Sequence, residues 1–241
     1  MTGGGAPGPV RAVRGVRAVW AVARYELALL ARSQRWLPPL VLLGFVLVTA
    51  TAGGPPAGDA LAFGGAALVP VCAWLTRLVL IGDPPAARAC LMAATGAARV
   101  QGGCLLAAVV VAAAVGAVTT AALVTLVAVG QGGARPAWVA ATVGAGLVTE
   151  LACALIGVAL GAVANPPVLR RADAAVAVTV LGVTLALVAG GSPASAAIRG
   201  LSRTPRAGLA PVAWQPLAVA VVLLLAAAAL SIRTAVRRGV H

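Results

Sequence analysis

Apolar residues fill most of this chain in blocks separated by short stretches of Pro, Gly and charge. Six blocks approach the length that a membrane-crossing α-helix needs, about 20 residues. They are Leu37–Ala52, Leu61–Gly82, Cys104–Val129, Ala137–Ala164, Ala172–Ala189 and Val212–Ile232. The first is short, so it draws on its flanks or on local thinning of the bilayer. The breaks are sharp: Gly53-Gly54-Pro55-Pro56, Asp83-Pro84-Pro85 and Asn165-Pro166-Pro167. Proline lacks the donor that a helix interior requires and pushes the preceding residue out of helical geometry. The fifth block shows no internal break that would match Gly64-Gly65 and Pro70 of the second.

Upstream of the first block the pattern becomes amphipathic. At about 100° per residue, Arg11, Arg14, Arg17, Arg24, Arg32 and Arg35 share one arc, and Val13, Val16, Trp20, Leu27 and Leu30 another. A helix with Arg on one side and Trp and Leu on the other suits the plane of a membrane interface. The Gly/Pro-rich residues before it are expected to be disordered. The pattern therefore predicts an all-α membrane protein: a disordered tail (1–9), an interfacial helix (10–36), a six-helix transmembrane domain (37–232) and a tail (233–241). Ala50-Thr51-Ala52 imitates a signal-peptidase site, but the stretch before its apolar run is far longer than a signal n-region. The first block is expected to stay.

Arginine sets the expected orientation. With the N-terminus inside, fourteen of the eighteen arginines fall on the inner side. Only Arg135, Arg199, Arg203 and Arg206 lie outside, in a layout that makes both termini cytoplasmic. The outer loop, 190–210, is expected to carry a short helix, Ala194–Leu201.

Composition narrows the class further. The chain is 61% hydrophobic and 10% charged, with a mean hydropathy of +1.04. A soluble fold could not cover that much apolar surface with so few charges. The net charge is +13 and every basic residue is Arg. In a soluble chain this would suggest nucleic acid. Beside apolar spans it is explained by inner-side Arg meeting anionic lipid, so lipid is an expected partner and nucleic acid is not. A chain rich in Ala, Gly, Val, Pro and Arg and without Lys points to a high-GC bacterial genome, hence to a multi-pass protein of a bacterial plasma membrane.

The missing residues exclude chemistry. Without Lys there is no phosphate-binding P-loop. There is no Gly-x-Ser-x-Gly, and the one histidine is the terminal His241, so no base is at hand for a serine nucleophile. The acids Glu26, Asp59, Asp83, Glu150 and Asp173 are scattered, which does not suit a divalent cation. Cys72, Cys90, Cys104 and Cys153 lack metal-site spacing and read as small apolar packing residues. No enzyme activity, cofactor or metal is expected of this chain. Two ionisable residues fall inside blocks. Glu150 is mid-block, where a charge must face protein or water; it is either a proton or substrate site or a structural partner within the bundle. Arg77 is close enough to its block's end to snorkel. Gly157-x-x-x-Gly161 offers a close-packing face, to the bundle or to a second copy.

Two stretches carry a resemblance. The first is Tyr25-Glu26-Leu27-Ala28-Leu29-Leu30-Ala31-Arg32-Ser33-Gln34-Arg35-Trp36. The second is Asp83 through Gly103, with Thr95-Gly96-Ala97-Ala98-Arg99 running into Gly102-Gly103. With an interfacial helix before six spans, the chain resembles the ABC-2 type transporter permeases, the membrane subunits of type V ABC exporters. The resemblance implies an elbow helix that includes Trp20, Arg24, Glu26, Leu27, Leu30, Arg32 and Arg35. It also implies an ATPase-docking loop that includes Pro84, Pro85, Arg88, Met92, Thr95 and Arg99. It further implies a separate ATP-binding subunit, which holds ATP and Mg, and a second permease chain, the same or related. Pro84-Pro85 can start a short helix, and Arg88, Met92 and Arg99 mix charge with apolar contact as a docking knob would. The scarcity of polar residues suits an amphiphilic, drug-like or lipid-linked cargo. Two other readings stay open: a stand-alone ion-coupled carrier using Glu150, and a membrane assembly factor that transports nothing.

Overall fold

The computed structural model describes residues 9–52, 54, 56–130, 136–169, 171–202 and 214–238. Among these it has nine helices and no strand: α1 (Pro9–Ser33), α2 (Leu37–Thr51), α3 (Ala57–Leu80), α4 (Pro85–Thr95), α5 (Ala97–Gly130), α6 (Pro136–Ala164), α7 (Ala172–Val188), α8 (Pro193–Ser202) and α9 (Trp214–Arg238). Residues 1–8 of the expected disordered tail, Gly53 and Pro55 of the first break, and residues 239–241 lie outside the described residues. So do Arg135, Arg170, Arg203 and Arg206 and the side chains of Arg11, Val13 and Arg14.

Four helices, α3, α5, α6 and α9, are long and apolar enough to cross a membrane alone. Two bent pairs, α1/α2 at 74° and α7/α8 at 42°, raise the number to as many as six if each pair counts as one span. The chain thus has four to six candidate spans and the character of a multi-pass membrane protein. Exposed apolar side chains fit that solvent. Val41, Phe45 and Val48 of α2, Val180 and Leu181 of α7, and Val222 and Leu225 of α9 all point outward.

Helix α6 is the axis, with α3, α5 and α9 packed around it. Glycine permits the closest of these approaches. A Cβ on Gly157 would come within 2.6 Å of the Val69 carbonyl oxygen on α3, and one on Gly161 within 2.7 Å of Thr76 Cβ. The small-residue face is therefore spent inside the bundle, on α3. The core around it is built from Leu61, Leu68 and Val69 of α3, Leu123 of α5 and Val158 of α6.

Several boundaries differ from the sequence reading. Helix α5 has 34 residues, about 51 Å at 1.5 Å per residue. It outruns a hydrocarbon core of about 30 Å, and its first turns, expected as loop, are helical and packed against α1, with Val100, Gln101 and Cys104 buried. Helix α4 ends at Thr95, and Gly96 at φ +88° makes the whole connection to α5, a conformation that suits a residue without Cβ. The last span also runs longer, since α9 continues to Arg238, into the expected tail.

The two bends have local causes. Gln34 sits at φ +53° after α1, and Pro38 and Pro39 occupy the first turn of α2. The chain turns at once because left-handed geometry ends one helix and Pro favours the start of the next. At the other bend α7 stops at Val188, close to the expected end of the fifth block at Ala189. After residues 189–192 the chain continues as α8, bent 42° from α7. The short helix is present, but Ala194, Ser195, Ala197 and Leu201 are buried, against α3, α6 and α9. Hydroxyl and guanidinium groups satisfy the broken backbone. Ser192 Oγ donates to the Ala186 carbonyl (2.5 Å) and Ser195 Oγ to that of Ala189 (2.7 Å). Arg199 reaches back to the carbonyl of Gly190. Gly190-Gly191-Ser192-Pro193 marks the break in the sequence; periodicity could not show that the turn after it packs back into the bundle and supplies the donors.

Candidate functional site

Buried polar groups gather in two places: at the bundle end that carries α4, and at the centre of α6. At the α4 end, Asp83-Pro84-Pro85 stops α3 and starts α4, with Pro85 at the first helical position, where its missing N–H costs nothing. No residue of α4 is buried, so this helix lies outside the bundle. One side chain fastens it. The Arg88 guanidinium donates to the Leu80 carbonyl at the end of α3 and to Gln101 Oε1 on α5 (3.0 Å). Gln101 Nε2 in turn donates to Ser231 Oγ on α9 (2.8 Å). One line of hydrogen bonds thus joins α3, α4, α5 and α9.

Glu26 of α1 enters the same region. It is 2% exposed, and its Oε1 accepts the Cys104 thiol at 3.4 Å. Asp83 faces it. While Glu26 is ionised neither Asp83 oxygen has a donor; a proton on Glu26 supplies one. Burial first, then the Asp83 carboxylate, push Glu26 up to about 8, with Arg88 opposing in part. The charge of Asp83 also raises the neighbouring Tyr25 phenol. A cavity of about 280 Å³ opens beside Glu26 between α1 and the end of α3.

The other expected elbow residues divide by face. Trp20, Arg24, Arg32 and Arg35 are exposed, Leu27 is half-buried and Leu30 is buried. The expected docking residues divide as well. Pro84 and Pro85 are exposed, while Arg88 is held as above and Met92 is half-buried against the α1–α5 core. Thr95 donates to Leu91 (2.8 Å), and the exposed Arg99 donates to Thr95 (2.9 Å). The outward face of α4 is therefore made of Ala86, Ala89, Cys90, Ala93 and Ala94, a smoother surface than the residue types suggested.

Arg77 does not reach Glu150. Its guanidinium donates to Asn165 Oδ1 (3.1 Å) and lies over the Trp74 ring at 5.9 Å, a favourable cation–π distance. Asn165 Nδ2 donates to the Gly161 carbonyl (2.8 Å), so Arg77 ties the ends of α3 and α6.

Glu150 stands alone. It is fully buried, and both carboxylate oxygens and the neighbouring Thr149 hydroxyl lack partners. Its carboxyl occupies the space left by Gly64 of α3, where a Cβ would sit 2.8 Å from Oε1. Gly116 of α5 backs its stem, with a built Cβ 3.7 Å from Glu150 Cβ. Among the described residues no three His, Cys, Asp or Glu side chains converge as a metal site.

The sequence reading singled out Glu26, Arg88, Arg77 and Glu150 but missed Gln101, Cys104, Asn165 and Ser231. Gln101 and Ser231 carried a signal, as lone amide and hydroxyl groups in apolar runs. Asp83 and Asn165 each precede Pro-Pro and were legible only as helix stops. The chain matches no known family model, no curated protein and no solved structure.

Proposed function

We propose that this chain is the membrane-spanning permease subunit of an ATP-driven exporter. It forms the translocation path with a second permease chain, the same or related, and is powered by a separate subunit that holds ATP and Mg. In this reading α2 is the first span after an interfacial α1 and the α7/α8 pair counts as one, giving six, with both termini in the cytoplasm of a bacterial cell. The observation that carries it is α4. An 11-residue helix outside the bundle, bolted through Arg88 to α3, α5 and α9, can pass a push from a docked ATPase to three spans at once. Its smooth Ala face suits a groove on a partner.

Cys90 provides the test. It is the one exposed cysteine, with Cys72, Cys104 and Cys153 buried. A membrane-impermeant maleimide should label Cys90 in inverted membrane vesicles and not in intact cells. Labelling should be blocked when the chain is extracted gently with its ATPase, and intact-complex mass spectrometry should find that ATPase beside two permease chains. A chain that extracts alone, with Cys90 freely reactive, overturns the proposal.

The orphan carboxyl of Glu150 favours a second reading, a stand-alone ion-coupled carrier. Helix breaks in transporters commonly mark binding sites, and this chain bends at 189–192. Full transport by Glu150→Gln in vesicles would exclude that role.

A further inference from the structure

The cavity beside Glu26 combines features that neither the docking helix nor Glu150 explains. Its walls are apolar, from Leu29, Leu30 and Leu78, and its polar groups are Glu26, Ser33 and Arg35. Glu26 is more than nine-tenths buried, and the Cys104 thiol is its one hydrogen-bond donor. Thiols are weak donors. Asp83 stands behind it, its oxygens buried away from the cavity, beside Glu26 and the Tyr25 phenol. The nearest cation, Arg88, is committed to Leu80 and Gln101. Glu26 therefore meets the cavity short of a full donor set, beside a space in which a donor could sit. Arg35, exposed, marks the opposite sign on the same cavity.

A metal ion does not fit, since the described residues offer no three-ligand cluster. The volume, about 280 Å³, lies near the lower end of small-molecule sites, about 300–1,000 Å³. The place is the junction of α1 with the bundle, where an amphipathic helix meets phospholipid headgroups. We infer that this cavity binds the headgroup of an aminophospholipid, its primary ammonium donating to Glu26 and its phosphate meeting Arg35 and Ser33. The Ser33 hydroxyl already donates to the Leu30 carbonyl (2.9 Å), so a phosphate reaches it only if it turns. Arg35 is the main phosphate contact. The inference needs α1 at the interface and does not depend on the exporter reading.

The site discriminates by N–H. A quaternary choline headgroup has the same charge but nothing to donate, so Glu26 should prefer ethanolamine to choline lipids. Intact-protein mass spectrometry of the full chain in detergent, with equal phosphatidylethanolamine and phosphatidylcholine of matched acyl chains, reads this directly. Wild type should retain the ethanolamine lipid about tenfold more, the worth of one charge-assisted hydrogen bond. Glu26→Gln should bring the ratio toward one. Arg35→Ala should weaken retention of both lipids and leave the ratio unchanged. Equal retention of the two lipids by wild type, a comparison that needs no variant, overturns the inference. Displacement of the lipid by soluble phosphoethanolamine would also overturn it, by assigning the cavity to a free amine.

Discussion

Glu26 and Glu150 are the two glutamates of the chain, and burial does not distinguish them, at 2% and 0% exposed. Their surroundings do. Glu26 lies where helices end, and helix ends bring free backbone groups and turns. Within reach stand Cys104, Asp83 and, beyond them, Arg88 with the Leu80 carbonyl and Gln101. Glu150 lies mid-helix, where every backbone donor nearby is already spent within its own helix. Only side chains could satisfy it, and of its neighbours Gly64, Gly116, Thr149, Cys72 and Cys153 none gives it a hydrogen bond. A buried charge is tolerated by its local supply of partners, and that supply is concentrated at the ends of spans. An unpaired ionisable group near the bilayer centre costs a few kcal/mol or more, so Glu150 is maintained against stability while Glu26 is part of what joins α1 to the bundle.

The largest expected effect comes from opening the packing that seals Glu150. Gly157→Val would drive a branched side chain into the Val69 backbone of α3, 2.6 Å from the first added carbon. Overpacking of a close core costs about 1–3 kcal/mol and at times more. Thermal unfolding in detergent should show a lower midpoint or no folded protein, whereas an unchanged midpoint would mean that α3 and α6 are not packed this closely.

Next in size is a substitution that separates the two glutamates by sign. Glu150→Met removes two undonated oxygens and keeps an unbranched side chain of similar reach. Replacing a buried unsatisfied group with an apolar one should stabilise the fold by about 1–3 kcal/mol. A clear loss of stability would show that Glu150 has a partner after all.

The smallest effect is a slope rather than a shift. Glu26 is raised from its ordinary 4.5 to about 8, so the folded chain holds a proton that the unfolded chain has released. Its contribution is fully present below 4.5 and is lost as pH rises through about 8. In Glu26→Gln the amide donates to Asp83 at every pH and accepts from Cys104, so the fold should persist while this part of the pH dependence disappears. A variant with the wild-type slope would place the titration elsewhere.

Much of the architecture was legible in the sequence because hydrophobic length and Pro punctuation are local properties. The ends of α3 and α6, the amphipathic α1 and the helix after Pro84-Pro85 all follow from residues near them in the chain. The same reading located Glu150 in mid-span and Arg77 near an end. It assigned Arg88 and Met92 to a docking surface because residue type says nothing of which side of a short helix faces the body.

What the sequence determined alone is the solvent, the helical class, the order of elements and the absence of a nucleotide loop, since each depends on composition or on spacing along one helix. The tertiary structure decided that Gly157 and Gly161 serve α3, that α8 packs back against α3, α6 and α9, and that Glu26 meets Asp83. It also decided that Glu150 meets no hydrogen-bond partner among the described residues. Each of these depends on which helices become neighbours, and that choice is made by the summed packing of many small side chains. In a chain this rich in Ala, Val and Gly, no single residue announces it.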